Sequence, residues 1–454
     1  MNLYKLFLEQ AHALTKDNGR IGFIVPSGIY SDAGTRQLRE LFLKQCNWEW
    51  LFSFENRSKI FDIDSRFKFN ALIIRKGGKT EQLEVAFMRQ DINDWENADA
   101  YRAEYPVSQI TRFSPESLAL LEIKSAKDLE ILGRIYENAI LVGDDSDNGW
   151  KIQFSREFDM TNDSKLFPTA DTWSSWGYCA DEYSRWVKGD WRPVEDLYAL
   201  PEVAPFVQSA PVVAQPPYDT LRVKRCHIPA GIILSRDCTR WLRDDDIPTV
   251  VFTEANGKPI TKKIGSGKDA DVVEIEGKAI AIPLYQGRMV AHFDHSYRAW
   301  VSGVGIRAQW DEVPMERKDI VPNYLMGLGV ASAFCGQQFK TDFRAITNST
   351  NKRTLFAALL SGSACGNKLL VINTHKITSV YPSPEQPPEM PQITSLKFIT
   401  LLLNSFTFDW VVRFRLAGIE LSQFIMHDCP LVKPKDIEYL RDIAERLNNN
   451  HRVY

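Results

Sequence analysis

Asn18-Gly-Arg-Ile-Gly-Phe-Ile-Val-Pro26 decides how the N-terminal part of this chain is read. Residues 21–25 form a short continuous apolar run between Asn18-Gly19 and Pro26, the form a buried parallel strand takes in an α/β sheet. Before it, apolar residues at 3, 6, 7, 11 and 14 mark one face of a helix, which Asn18-Gly19 stops. After it, Ser31-Asp32 is placed to cap a second helix with Leu38, Leu41 and Phe42 on its stripe. Two further apolar runs follow, Trp48-Glu-Trp-Leu-Phe-Ser-Phe54 and Phe69-Asn-Ala-Leu-Ile-Ile74. Their connection is too short for a crossover helix, so they are expected to pair antiparallel. Helix, strand, helix, strand, strand makes the closing half of an α/β sheet. The first helix has almost no lead-in, so the chain is expected to begin mid-domain. Residues 1–80 are then expected to leave an open sheet edge and apolar surface, and to be poorly stable alone.

Downstream, a strand is expected near 83–88 and a helix over 126–137, before the acidic loop Gly143-Asp-Asp-Ser-Asp-Asn-Gly149, which looks like a boundary. A region rich in tryptophan and proline follows, with short β-like runs such as Thr249-Val-Val-Phe252 and Ala279-Ile-Ala-Ile282, ending near Tyr381-Pro-Ser-Pro-Glu-Gln-Pro-Pro388. Helical patterns return over 396–403, 406–414 and 435–447. The 454 residues allow roughly three domains at about 150 residues each. A hydrophobic share of 44% excludes a disordered or collagen-like chain. With 55 Lys+Arg against 58 Asp+Glu, bulk charge gives no sign of a nucleic-acid or anionic-membrane partner, and any such partner must meet a local patch. Seven cysteines without a Cys-x-x-Cys pair fit reduced thiols in a cytoplasm. No run of 18 apolar residues and no basic leader occurs, so neither membrane spanning nor secretion is expected.

Several blocks carry a resemblance. Asn2-Leu-Tyr4 through Phe7, residues 18–27, Leu38-Arg-Glu-Leu-Phe42 and Ile60-Phe-Asp-Ile-Asp-Ser-Arg-Phe-Lys-Phe69 resemble adenine-specific DNA methyltransferases of single-polypeptide (type IIG-like) restriction–modification systems, and the phage-growth-limitation methyltransferases. Arg156-Glu-Phe-Asp-Met-Thr-Asn-Asp163, Pro283-Leu-Tyr-Gln-Gly-Arg-Met289 with Phe293-Asp-His295, Phe343-Arg-Ala-Ile346 with Asn351-Lys-Arg-Thr354, and Asn404-Ser-Phe-Thr-Phe-Asp-Trp410 look like blocks of those enzymes' target-recognition halves. The resemblance implies an α/β fold: the closing half of a Rossmann-like methyltransferase sheet over 1–80, then a connecting region over 81–150. A mixed α+β target-recognition domain follows over 151–395, and a helical tail over 396–454. It implies S-adenosylmethionine as cofactor, double-stranded DNA as partner, and a role in restriction–modification or phage defence.

The same resemblance shows what these residues lack. Such enzymes hold the cofactor with a glycine-rich turn and the flipped adenine's amine with an Asn-Pro-Pro-Tyr loop. The nearest sequence, Gln215-Pro-Pro-Tyr218, has Gln for Asn, falls in the recognition region and reads as a loop. Gly265-Ser-Gly267, Gly303-Val-Gly305 and Gly327-Leu-Gly329 read as turns, none following a strand and opening a helix. Adenine's exocyclic amine is a poor nucleophile that must be positioned in line with the methyl donor, so the chain alone is expected to be inactive. Either a separate polypeptide supplies the missing half, or the chain is a DNA-recognition module without chemistry.

The resemblance places a base-stacking aromatic near residues 61–69. By the two-residue period of an extended segment, Phe67 and Phe69 share one face, to stack a base, and Arg66 and Lys68 the other, to meet phosphate. The competing reading puts both rings in a strand core. Tyr4 and Phe7 read as core. Six basic residues against Asp237 alone lie between 222 and 243, and six against Asp342 alone between 340 and 376. Such charge runs are ordinarily solvated faces, but the second overlaps a resemblance block, so Arg344, Asn351, Lys352 and Arg353 are its DNA-binding candidates. His292-Phe-Asp-His295 lacks the further ligands a zinc site needs, so no metal is expected and Asp294 and His295 are read as fixing a loop. No nuclease constellation is found.

Overall fold

The computed structural model describes residues 2–146, 149–150, 152–204, 229–264, 271–315, 318–335, 339–361, 363–373, 392–432 and 437–448. The chain is a mixed α/β protein of two compact units. The first comprises 1–154, 344–356 and 372–445, and the second 155–343, 357–371 and 446–454.

In the first unit, helix α1 (Leu3–Leu14) leads into strand β1 (Arg20–Pro26), then the single turn α2 (Gly28–Ser31), helix α3 (Arg36–Gln45) and strand β2 (Cys46–Glu55). Strands β3 (Lys68–Lys76), β4 (Gln82–Arg89) and β5 (Ala103–Pro106) follow, with helices α4 (Val107–Phe113) and α5 (Ala126–Glu137). The sheet order is β1-β3-β2-β4-β5. The expected antiparallel pairing of β2 with β3 is observed, from Cys46 opposite Lys76 to Glu55 opposite Lys68. The expected parallel setting of β1 is not. β3 inserts between β1 and β2, so β1 runs antiparallel to it, from Arg20 opposite Arg75 to Pro26 opposite Phe69.

Among the described residues β1 is therefore an edge strand, and only one of its faces is covered. Ile21 and Val25 are buried, whereas Ile24 is 61% exposed. Leu3, Leu6, Phe7 and Leu14 of α1 are exposed as well, so Phe7 is not the core residue its period suggested. Tyr4 packs against the core, and burial, then Asp32, pushes its hydroxyl up to about 12. The open edge and bare apolar surface read from the sequence are thus present. A boundary at residue 80 is not: β4 pairs parallel with β2 and β5 antiparallel with β4, carrying the sheet to residue 106.

The helical tail is not a separate layer of the recognition region either. Val411, Phe414 and Ala417 belong to the same core cluster as Leu8, Phe42, Trp48 and Leu132. Buried polar groups join them. Arg415 donates to the Tyr136 hydroxyl (3.0 Å), the Ser114 hydroxyl (3.1 Å) and the Phe113 carbonyl, 3.8 Å from the Asp428 carboxylate. The Ser117 hydroxyl donates to Asp428 (2.6 Å), and Arg39 donates to the Ser117 carbonyl (2.7 Å).

The second unit is built from short strands. Ile280–Tyr285 is flanked by Leu325–Gly327 and Trp186–Val187, all antiparallel, over a core of Phe158, Trp173, Phe252 and Met326. Arg192–Pro193, Arg240–Arg243 and Ile232–Leu234 form a smaller sheet. Among the described residues no single helix is long and apolar enough to cross a membrane.

Replacing Arg415 by Ala strands four buried partners, which costs about 3–5 kcal/mol for a broken buried charge network. The exposed Arg134→Ala, which removes a surface pair with Glu130, is expected to cost less than about 1 kcal/mol. Urea unfolding of both variants checks this, and equal midpoints would refute it.

Candidate nucleic-acid interface

The segment between β2 and β3 folds around one buried amide. Asn56 donates through Nδ2 to the carbonyls of Phe61 (2.9 Å) and Ile63 (3.2 Å), and its Oδ1 accepts from the Phe61 amide (2.9 Å). An amide side chain with two donors and an acceptor can satisfy a loop that has no sheet partners. The loop consequently turns Phe61, Ile63 and Phe67 outward, at 40%, 47% and 55% exposure.

Phe67 and Phe69 do not share a face. Phe67 precedes β3 in a turn, its amide donating to the Asp64 carbonyl (3.1 Å), so the strand period does not reach it. Phe69 lies in the core, stacked on Phe54 at 5.3 Å and met edge-on by Phe61 at 4.7 Å. Of the two proposed stackers only Phe67 is accessible, and Phe61 is a second accessible ring that the alternation argument passed over.

Their basic neighbours also part. Arg66 is exposed but forked on Asp64 at 2.6 and 3.0 Å, and its hydrogen bonds hold that carboxyl down to about 2. Lys68 points inward. Its ammonium lies 2.6 and 2.8 Å from the two Glu122 oxygens and 4.0 Å from Glu55, with the buried Tyr30 hydroxyl donating to Glu122 at 2.5 Å. A buried ammonium needs such carboxylates, so Lys68 is occupied inside the unit rather than aimed at phosphate.

The second basic segment is organised by Asp409 on helix Phe406–Arg415. Its carboxylate accepts from the amides of Thr354 (2.7 Å) and Leu355 (2.8 Å) and from Arg413 (3.0 Å), with Arg353 at 3.4 Å. Arg413 also donates to the carbonyls of Lys352 (2.7 Å) and Ser349 (3.3 Å). Arg353 donates to the Asn404 carbonyl (2.5 Å) and lies 4.5 Å from the Phe406 ring centroid. Arg353 is thereby a strut of the turn, while Asn351 and Lys352 stand exposed at its tip. Arg344 lies over the Phe356 ring, 4.6 Å from its centroid.

Counting charges overstates both basic runs. Lys340 is buried against Glu157 at 2.6 Å, Arg236 pairs with Asp319 at 3.1 Å and Arg243 with Glu202 at 2.6 Å. Arg222, Lys224, Arg225 and Lys376 lie outside the described residues, as do Gln215-Pro-Pro-Tyr218 and Gly265-Ser-Gly267. Gly303-Val-Gly305 belongs to a hairpin connection and has positive φ values of 75° and 60°. Gly327-Leu-Gly329 is not a plain turn: Gly327 ends a strand and Leu328–Phe334 is a helix. A Cβ on Gly327 would fall 2.3 Å from the Phe252 ring, so ring packing fills the space a phosphate would need. Asp294 accepts from Lys318 (2.5 Å) and from the Ser296 amide (3.0 Å), and the described residues hold no group of three or more His, Cys, Asp or Glu suited to a metal.

Residues 1–61 match the family model of the Eco57I restriction-modification methylase. No curated protein matches. Among solved structures, the chain is similar to a modification subunit of a putative type I restriction enzyme from Vibrio vulnificus YJ016, at 17% identity and a TM-score of 0.23, covering 28% of this chain and 33% of that one. The type IIG restriction endonuclease BpuSI is matched at 10% identity and a TM-score of 0.26, over 99% of this chain and 44% of that one. A nuclease-deletion mutant of the type ISP restriction-modification enzyme LlaGI, in complex with a DNA substrate mimic, is matched at 10% identity and a TM-score of 0.38, over 98% of this chain and 30% of that one. The chain thus spans less than half the length of each of these proteins.

Truncating Phe69 to Ala is expected to cost about 3–5 kcal/mol as a core deletion. Phe67→Ala, at the surface, should stay within about 0.5 kcal/mol of the parent. Comparable losses in a denaturation series would contradict this placement of the loop.

Proposed function

We propose that this chain is part of a site-specific adenine DNA methyltransferase of a restriction–modification or phage-defence system, working in the cytoplasm on double-stranded DNA. The match of residues 1–61 to a restriction-modification methylase carries this reading. The open edge of β1 supports it. Among the described residues no strand pairs with that edge, and Ile24, Leu3, Leu6, Phe7 and Leu14 lie bare. Exposed apolar patches of this kind mark interaction sites, and an unpaired edge accepts a further strand. A separate polypeptide carrying the cofactor turn and the Asn-Pro-Pro-Tyr loop is the partner this surface suits.

S-adenosylmethionine does not fit the residues described. The two glycine pairs among them serve a hairpin and the Phe252 ring, so no step of methyl transfer is assigned to this chain. When bound to the complete enzyme, the cofactor supplies the methyl group. This chain's share is to stack the displaced base on Phe67, with Phe61 beside it, and to meet DNA through Lys352 and Asn351. Arg344, lying over the neutral Phe356 ring, adds positive field, whereas the charges of Arg66 and Arg353 are largely spent on Asp64 and Asp409. A DNA-recognition module without chemistry is the second reading, favoured by the lack of a cofactor cradle among these residues.

The purified chain, given labelled S-adenosylmethionine and DNA, is expected to incorporate no methyl groups yet to bind duplex DNA in a salt-dependent manner. Lys352→Gln should lower the slope of log affinity against log salt by about one. Methyl incorporation would overturn the division of labour, and absence of DNA binding at low salt would overturn the whole reading.

A further inference from the structure

The first unit contains a cleft of about 740 Å³ that the loop at residues 56–67 does not use. Its walls include Met88 at the end of β4, Lys124 just before α5, Lys352 on the Asp409-held turn, and Phe406, Trp410 and Arg413 on one helix. That volume lies within the range of small-ligand sites.

Two kinds of group in the cleft are open to a ligand. The first is aromatic: Phe406 is 80% exposed although Arg353 lies over its ring, and Trp410 is held edge-on to Phe414 at 4.6 Å. The second is cationic. Asp409 answers both arginines of the wall, and Glu122 is answered by Lys68. Asp128 accepts from the backbone amides of Lys124 and Ser125, both at 2.9 Å. Lys124 and Lys352 are left without an ion-pair partner among the described residues. Met88 adds a third sign. It is a non-glycine residue at φ 59°, beside a register shift between β2 and β4, and such backbone strain collects at ligand sites.

A flat π-system joined to an anion is the chemistry that uses an exposed ring and two free ammonium groups together. We infer that this cleft takes a nucleotide, its base stacked against Phe406 and its phosphate held by Lys124 and Lys352. The nucleotide comes either from an unpaired position in DNA, which rests on the proposed DNA-binding function, or from solution, which does not.

The test uses the full chain with three probes: a short labelled duplex, the same duplex carrying one unpaired deoxyadenosine, and free dAMP. An unpaired-nucleotide preference of about tenfold is expected, from the typical strength of base–aromatic stacking. Phe406→Ala, a surface change, should abolish dAMP binding and lower the preference to the share that Phe67 supplies, while leaving the perfect duplex bound as before. Lys124→Gln with Lys352→Gln should weaken binding and lower the salt slope by about two. Phe406-dependent binding of dAMP instead identifies a free nucleotide and also sustains the assignment. If these variants alter neither dAMP binding nor the preference, the cleft assignment falls, while intact duplex binding would leave the proposed function standing. Phe406-dependent dAMP binding without any duplex binding would sink the function and keep the cleft.

Discussion

A run of buried polar contacts from Arg39 to Arg415 holds the first unit together. Arg39, wholly buried, donates to the carbonyls of Ser117 (2.7 Å), Ile29 (3.0 Å) and Asp32 (2.8 Å) and to the Thr35 hydroxyl (2.6 Å). It touches no carboxylate oxygen among these, and burial draws its pKa down to about 10. Ser117 passes the contact to Asp428, and Arg415 gathers Asp428, Tyr136, Ser114 and Phe113. Charges so buried are tolerable only when every donor is answered, and the groups that answer Arg415 lie 279 to 302 positions away in sequence. That requirement folds the C-terminal helices onto the N-terminal sheet, and with them the helix that bears Asp409.

Asn56 and Asp409 play the same part on a smaller scale. Each is a polar side chain that satisfies backbone groups of a loop without sheet partners, and each fixes what the loop shows outside. Asn56 sets Phe61 and Phe67 outward, while Asp409 spends two arginines on structure and leaves Lys352 and Asn351 at the tip. The accessible chemistry is what remains after these internal needs are met, which is why the number of basic residues in a segment says little about its field outside.

Much of the local structure was legible. The helix read over 126–137 is Ala126–Glu137, started by a Ser125–Asp128 capping box, and the run read over 48–54 lies within Cys46–Glu55. The open edge and bare apolar face were legible too, because an apolar run without neighbours must show itself. The site was legible only in part. Phe67 and Phe69 are two apart, yet a strand's alternation holds only once the strand has begun, and β3 begins at Lys68. Lys68 and Lys340 looked like surface cations because their partners, Glu122 and Glu157, lie far off in sequence.

Sequence by itself determined the α/β class, the order of the first helices and strands, the antiparallel pair β2 and β3, and the resemblance that points to DNA methylation. Periodicity and short connections act over a few residues, so they can be read without a partner segment. Tertiary structure alone decided that β3 inserts between β1 and β2, that the tail helices join the first unit, and that Phe67 rather than Phe69 is accessible. It also decided that Lys124, Lys352 and Phe406 meet around one cleft. Those outcomes depend on which distant carboxylate, carbonyl or ring satisfies each buried group, and no local pattern encodes that choice.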